Sequence, residues 1–181
     1  MNAVAESRSV LAIPLTLDER RIWRDRLSKM AILEHLGAEL DLDDEHAVRL
    51  ALVRRTRAHD GGLGTAALNG AMIAGMIDCA MSVAGILHFR GRTCGTMHLS
   101  IQFMKAVRDP RPVIECRAVR RTPSLVFVEA CLVGRHGRYD VLATGIVGAA
   151  QNALSDGGES TNWLAPVGMV PDCAMGAAEQ A

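Results

Sequence analysis

Residues 69–87 read NGAMIAGMIDCAMSVAGIL, and the single charge of this apolar run, Asp78, lies near its middle. Burial of a carboxylate in so apolar a segment costs several kcal/mol unless a hydrogen-bond donor or a cation compensates its charge. Asp78 is therefore either a satisfied structural acid or a catalytic group. The run approaches the roughly 20 residues of a membrane span, but the central acid and three glycines predict instead a helix enclosed by protein.

The whole chain has the size and composition of one domain with modest extensions. Its 181 residues are 49% hydrophobic, which is ample for a core. Twenty basic residues balance 20 acidic ones without a block of like charge, so neither a nucleic-acid surface nor an acidic tail is indicated. The N-terminus has no basic stretch followed by a long apolar core, so we expect a cytoplasmic protein rather than an exported one.

The five cysteines are scattered, odd in number and never form a C-x-x-C pair. This pattern favours reduced thiols that serve as packing residues over a disulfide framework or a zinc site. No metal or redox cofactor is implied. The cysteines are Cys79, Cys94, Cys116, Cys131 and Cys173.

The chain before the apolar run predicts a helix and a hairpin. Thr16 is a suitable cap for one helix that continues to about Leu36 and ends near Gly37. Short alternating stretches from Gly37 to residue 53 predict two strands with a turn at residues 43–44. A glycine-rich loop over residues 57–68 then leads to Asn69, a good helix cap.

Four strand-like runs follow the apolar helix, at about residues 96–103, 113–120, 125–133 and 139–148. The short turns between the later runs require antiparallel pairing, so we predict an antiparallel meander. Residues 96–103 alternate cleanly, which predicts a buried face and a polar face. The predicted buried residues are Met97, Leu99, Ile101 and Phe103, and the predicted polar ones are Thr96, His98, Ser100 and Gln102.

These elements predict an α+β fold in which an antiparallel sheet of five or six strands wraps one long apolar helix. Residues 1–15 form an N-terminal extension and residues 16–150 the domain. Residues 151–181 are rich in Ser, Gly, Pro and Ala without a sustained period, which predicts a C-terminal tail.

The order of helix, hairpin, glycine-rich loop, buried helix and antiparallel strands resembles the hot-dog fold. Residues 68–78, LNGAMIAGMID, resemble the H-G-G-x6-D/E signature of acyl-CoA thioesterases of the phenylacetate-pathway type, in the 4-hydroxybenzoyl-CoA thioesterase superfamily. The spacing of the signature matches throughout. With the strand that begins at Thr96, the resemblance covers roughly residues 30–150.

The resemblance implies roles for four residues. Asp78 would be the nucleophile or the general base for water, and Thr96 would orient the water or the carboxylate. The backbone N–H of Gly70 would polarise the thioester carbonyl, because unpaired amides at a helix N-terminus stabilise a growing oxyanion. Asn69 stands at the position of the signature His and retains the capping role.

The sequence departs from the family pattern at three positions. Asn69 replaces the His of the signature, and Ala71 replaces its second glycine. Leu63 replaces a polar Asn that the family has six residues before the signature. His59 or Asp60 is a candidate substitute for that Asn.

Gly70 and Asp78 are eight residues apart, about 12 Å along a helix axis, which is too far to serve one carbonyl together. The family pairs two protomers, so the resemblance implies a homodimer in which Gly70 of one protomer faces Asp78 of the other. Pairing of dimers into a homotetramer stays open. Basic residues at strand ends, where the family binds the phosphates of coenzyme A, are Lys105, Arg108, Arg120 and Arg121.

The leading hypothesis is hydrolysis of an acyl-CoA thioester, with coenzyme A as part of the substrate and neither nucleic acid nor membrane as a partner. A non-catalytic acyl-thioester-binding protein is the alternative, because the family His and Asn are lost. A hot-dog enoyl-thioester hydratase is the third possibility. It requires a His paired with a carboxylate, and the apolar helix has no His before His88.

Overall fold

The computed structural model describes residues 9–61, 66–133 and 139–150. Within these residues three α-helices and six β-strands form the predicted α+β fold. The helices are α1 (Leu17–Leu27), α2 (Ala31–Leu36) and α3 (Gly70–His88), and the strands are β1 (Ala38–Asp41), β2 (Val48–Leu52), β3 (Cys94–Phe103), β4 (Val113–Arg121), β5 (Leu125–Val133) and β6 (Tyr139–Ala149). The predicted tail, Cys173, Leu63 and the turn at residues 134–138 lie outside the described residues.

The prediction of one helix from Thr16 to Leu36 is wrong, because the chain forms α1 and α2 with a break at residues 28–30. The reason is the spacing of the buried leucines. Leu27 and Leu36 are nine residues apart, so in one continuous helix they would point in opposite directions. The break resets the helix phase, and both side chains are buried. The predicted cap is confirmed, since the Thr16 hydroxyl accepts from the N–H of Glu19.

The predicted hairpin is confirmed. Gly37 ends α2 with a left-handed φ of 58° and leads directly into β1. β1 and β2 pair antiparallel, and in the turn between them the N–H of Asp43 donates to the carboxylate of Asp41 at 2.8 Å. Leu40, Leu50 and Leu52 point from this hairpin into the core.

The six strands form one antiparallel sheet in the order β1-β2-β4-β5-β6-β3. The predicted meander holds for β4, β5 and β6, but β3 pairs with β6 at the edge of the sheet and not with β4. Residues 104–112 carry the chain back across the sheet. Nine residues suffice, because β3 and β4 are three strand spacings, about 14 Å, apart.

A β-bulge in β3 changes which side chains share a face. The register with β6 shifts between Thr96 and His98. Thr96 therefore lies on the same face as Leu99 and Ile101, toward α3, whereas His98 lies on the outer face. The predicted alternation through residue 97 is wrong for this reason, and Met97, predicted to be buried, is 70% exposed.

α3 is the central helix that the sequence predicts. By length and composition it is also the one helix of the described residues that could cross a membrane, but 12 of its 19 residues are buried against the sheet and the other helices. The prediction that the helix is wrapped on nearly every side needs one correction. A narrow face, which we call the open stripe, is not buried. It consists of Ala71, Ala74, Gly75, Asp78 and Ser82.

Candidate active site

Backbone hydrogen bonds fix the chain on both sides of the start of α3. The N–H of Leu68 donates to the carbonyl of Val107 at 2.8 Å, and the N–H of Asn69 donates to the carbonyl of His59 at 2.8 Å. The side-chain oxygen of Asn69 accepts from the N–H of Ala71 at 2.9 Å, which confirms the predicted cap. In the described part of the chain nothing accepts the N–H of Gly70. This amide is available to a ligand at the positive end of the helix dipole.

His59 is a structural residue of the loop before α3. Its ring is 1% exposed, and Nδ1 accepts from the N–H of Thr56 at 3.0 Å. Nε2 therefore carries the hydrogen and donates it to the carbonyl of Leu36 at 2.8 Å. Asp60 forms an ion pair with Arg55 at 2.8 Å. Both candidates for the place of the polar Asn thus have partners of their own within the described residues.

Asp78 lies half-buried on the open stripe. Among the described residues, no side chain or backbone group forms a hydrogen bond or an ion pair with its carboxylate. Its neighbour Cys79 is buried, and burial together with the charge of Asp78 raises the pKa of that thiol to about 11. Asp78 is thus an acid in an apolar helix that no described residue pairs with, and it is not sealed in the interior.

The side chain of Thr96 in β3 contacts the side chain of Ser82 in α3. The two hydroxyl oxygens are 3.2 Å apart. The same part of the helix is held by Cys94, whose thiol donates to the carbonyl of Ser82 at 3.7 Å. Ser82 follows Asp78 by four residues, so the two side chains lie on one face of α3.

Ser82 is a polar residue that the sequence interpretation missed. The available signal was a lone hydroxyl four residues after the acid in a helix that is otherwise apolar. The structure thus brings Asp78, Ser82 and Thr96 to one part of the open stripe. It does not bring Gly70 to Asp78 within one protomer, since eight helical residues, about 12 Å, separate them.

The four predicted phosphate-binding residues lie at opposite ends of the sheet. Lys105 and Arg108 follow the end of β3, beside the start of α3. Because β4 runs antiparallel to β3, Arg120 and Arg121 at its end lie near the beginning of β3. One protomer does not bring the four cations together.

The two arginines of β4 have different surroundings. The guanidinium of Arg120 lies 5.8 Å from the centroid of the Phe127 ring. Burial, with a smaller contribution from the charge of Arg121, lowers the pKa of His88 to about 4. His88 is 2% exposed and lies at the far end of α3, ten residues after Asp78.

β3 is an edge strand of ten residues with large apolar side chains exposed along it. Met97 is 70% exposed and Phe103 51%, and Met104, directly after the strand, is 60% exposed. The ring of Phe103 lies against Gly70, so the end of this edge strand adjoins the start of α3. A long apolar edge with unpaired backbone groups is normally covered by another chain or element.

Comparison with known proteins finds one family model that matches part of the chain. Residues 66–139, which include Gly70, Asp78 and Thr96, match the family model described as the thioesterase superfamily. No curated protein sequence matches the chain.

Solved thioesterase structures have the same fold. A mutant thioesterase from Pseudomonas aeruginosa has a TM-score of 0.61 at 16% identity and covers 77% of this chain and 97% of its own. The PaaI protein of the phenylacetic acid degradation operon of E. coli has a TM-score of 0.63 at 12% identity, covering 75% and 97%. Zebrafish thioesterase superfamily member 2 has a TM-score of 0.59 at 17% identity, covering 75% and 99%.

The six-stranded antiparallel sheet around α3 is the fold of these structural neighbours. Residues 66–139 of the chain are similar to the thioesterase superfamily, and the chain has a hot-dog fold.

Proposed function

We propose that the protein hydrolyses an acyl-CoA thioester at a site formed between two copies of the chain. Asp78 acts as general base for water or as nucleophile, and Thr96 orients the water or the carboxylate. The N–H of Gly70 from the other copy stabilises the oxyanion. The observation that carries this proposal is the half-buried carboxylate of Asp78 on the open stripe, which has no partner in the described part of the chain.

The surroundings of Asp78 favour a functional acid over a structural one. A structural acid in an apolar helix is normally retained because backbone amides or a cation satisfy it. Among the described residues Asp78 has no such partner, whereas every other residue of the open stripe is small, namely Ala71, Ala74, Gly75 and Ser82. The missing partner of the carboxylate is thus supplied from outside the protomer, by water, substrate or a second chain.

Hydrolysis also needs a donor for the oxyanion. The N–H of Gly70 is at the first position of α3 and is unused among the described residues. A donor of this kind typically contributes ~10² to 10³ in rate. Because about 12 Å separates Gly70 from Asp78 of the same chain, the donor and the acid of one site belong to different protomers.

The edge strand β3 provides the geometry for such a pair. α3 runs antiparallel to β3, since Gly70 packs on Phe103 at the end of the strand and Ser82 contacts Thr96 near its beginning. If two β3 strands pair antiparallel about a two-fold axis near their middle, the Phe103 end of one lies across from the Thr96 end of the other. Gly70 of one protomer then faces Asp78 of the partner.

The same symmetry supports a role for the basic residues in holding the phosphates of coenzyme A. Lys105 and Arg108 lie at the Gly70 end of the protomer, and Arg120 and Arg121 lie at the Thr96 end. In such a dimer the Gly70 end of one protomer lies beside the Thr96 end of the other, so both chains contribute cations to each site. All four cations are exposed, and the guanidinium of Arg120 lies over the ring of Phe127.

The test is release of free thiol from a panel of short, long and aromatic acyl-CoA esters by wild type and by Asp78→Asn. We expect the substitution to lower kcat by at least ~10²-fold, the lower range for loss of a catalytic base. Asp25→Asn, the same chemical change on the exposed face of α1, is the matched control and leaves kcat unchanged. Equal rates for wild type and Asp78→Asn would end the catalytic proposal.

A non-catalytic acyl-thioester-binding protein is the second candidate. Asn69 favours it, because the imidazole of the family signature is absent and the Asn69 side-chain oxygen is engaged in the helix cap. This candidate predicts saturable heat of binding for acyl-CoA in calorimetry without release of thiol.

A further inference from the structure

We propose that Ser82 is a positioning residue of the thioesterase site, which holds the hydroxyl of Thr96 in the orientation that the reaction needs. This inference rests on the proposed function. Ser82 supplies the one side-chain hydroxyl of α3, and its oxygen lies 3.2 Å from that of Thr96.

The environment shows why Ser82 requires this partner. The residues on both sides of it, Met81 and Val83, are completely buried. Ser82 itself is half-buried, so a hydroxyl that lost its hydrogen bond here would keep part of its desolvation cost. Thr96 is β-branched, so its hydroxyl direction depends on one stiff χ1 angle. A hydrogen bond from the helix therefore selects the direction of that hydroxyl.

The position relative to Asp78 connects the hydroxyl pair to the chemistry. Ser82 is one helical turn beyond Asp78, a rise of about 6 Å. A water molecule that bridges two oxygens spans about 5.6 Å, since each of its hydrogen bonds is about 2.8 Å long. One water can thus bond to the carboxylate of Asp78 and to the hydroxyl pair together.

Ser82 and Thr96 each have one hydroxyl hydrogen, and the hydrogen bond between them uses only one of the two. With the Ser82 hydroxyl donating to Thr96, the Thr96 hydroxyl donates to the water, and the water donates to Asp78. Asp78 accepts the proton as the water attacks the carbonyl carbon, and the thiolate of coenzyme A leaves. Ser82 touches neither the water nor the substrate in this arrangement.

The experiment is a double-mutant cycle on kcat and KM with the full-length protein and its best acyl-CoA substrate. The variants are Ser82→Ala, Thr96→Val and the double substitution, and Ser82→Thr tests rescue because it keeps the hydroxyl. Ser100→Ala is the control, since Ser100 is half-buried in the same strand but lies on its outer face. Thermal unfolding of every variant checks that each is folded.

We expect Ser82→Ala to lower kcat about tenfold with KM unchanged, the size of one neutral hydrogen bond. The double variant should be no slower than Thr96→Val alone, because Ser82 acts through Thr96. Ser82→Thr should restore most of kcat.

An unchanged kcat in Ser82→Ala would overturn this role. So would a double variant in which the reductions in kcat of the two single variants multiply. In either case, turnover by wild type would still uphold the proposed function. If wild type releases no thiol from any ester, the proposed function fails, and the role of Ser82 fails with it.

Discussion

Gly70 and Phe103 are in contact, so the first residue of α3 is packed on the last residue of the edge strand β3. A Cβ atom on Gly70 would lie 3.5 Å from the Phe103 ring, an ordinary van der Waals distance. Gly70 is therefore not required to leave space for the ring, and its φ is not in the left-handed region. What distinguishes the position is its backbone N–H, which no described residue accepts, beside the edge strand of the sheet.

Substitution of Gly70 by proline should test the role of its backbone amide in the reaction without disrupting the fold. Proline is favoured at the first position of a helix, and the extended conformation of Asn69 (φ −66°, ψ 130°) suits a residue before proline. Gly70→Pro removes the N–H and adds a side-chain ring, and we expect kcat to fall ~10²- to 10³-fold. Gly70→Ala keeps the N–H and serves as control, with thermal unfolding to confirm both folds. Similar kcat values for the two variants would exclude the amide from the reaction.

Mixed dimers should show whether one site draws on two chains. Gly70→Pro and Asp78→Asn homodimers each lack every intact site, but a heterodimer of the two variants retains one. After random exchange of equal amounts, half of the dimers are heterodimers, so activity should return to about a quarter of wild type. Thiol release before and after exchange measures the gain. No gain, with exchange verified by differently tagged chains, would place the amide and the acid in one protomer.

Gly85 should be required for the close approach of α3 to the sheet. A Cβ atom there would overlap the side chain of Val147 and lie 3.2 Å from the sulfur of Cys94. Overpacking of this kind costs about 1–3 kcal/mol, against which alanine gains about 1 kcal/mol in helix propensity. We therefore expect Gly85→Ala to lower the free energy of unfolding, measured with urea.

Gly75→Ala is the matched control for this substitution in the same helix. Its Cβ would meet only the end of the Leu36 side chain at 3.4 Å. We expect it to be neutral or to stabilise by up to about 1 kcal/mol. Equal losses of stability in the two variants would contradict the packing explanation.

His88 should make the fold less stable in acid. Burial lowers its pKa from 6.5 to about 4, so between these values the unfolded state binds more protons than the folded state. The contribution of His88 is complete above pH 6.5 and is lost as pH falls toward 4, with a slope of at most about 1.4 kcal/mol per pH unit. Urea unfolding of wild type and His88→Gln at several pH values measures the difference in slope.

The exposed His98 provides the control, since His98→Gln should leave the slope of wild type in place. Identical slopes for wild type and His88→Gln would show that another group causes the acid sensitivity.

Much of the fold follows from local sequence patterns. The apolar run after Asn69 predicts α3, because a helix that is apolar on most faces must be enclosed by other elements. The Thr16 and Asn69 caps, the turn near Asp43 and the end of α2 at Gly37 are local features, and the structure confirms each of them. The break between α1 and α2 was also encoded, in the nine-residue spacing of Leu27 and Leu36.

The candidate site was predictable only in part. The resemblance to the signature indicated Gly70 and Asp78, and the resemblance of the following strand indicated Thr96. The structure places Asp78 on the open stripe and Thr96 beside it. The Ser82 contact was not predicted, because it joins residues 14 apart on a helix and a strand whose relative position no local pattern gives. The bulge at Met97 was missed because a one-residue offset leaves the alternation of residue types intact.

The sequence by itself determined where helices and strands form and which helix lies in the core, since capping, periodicity and burial of apolar side chains act over a few neighbouring residues. Tertiary structure alone decided that β3 lies at the sheet edge beside β6, that the bulge turns Thr96 toward Ser82, and that Asp78 stays unpaired among the described residues. These features depend on how distant segments pack, because strand order and face are set by long-range pairing and not by local preference.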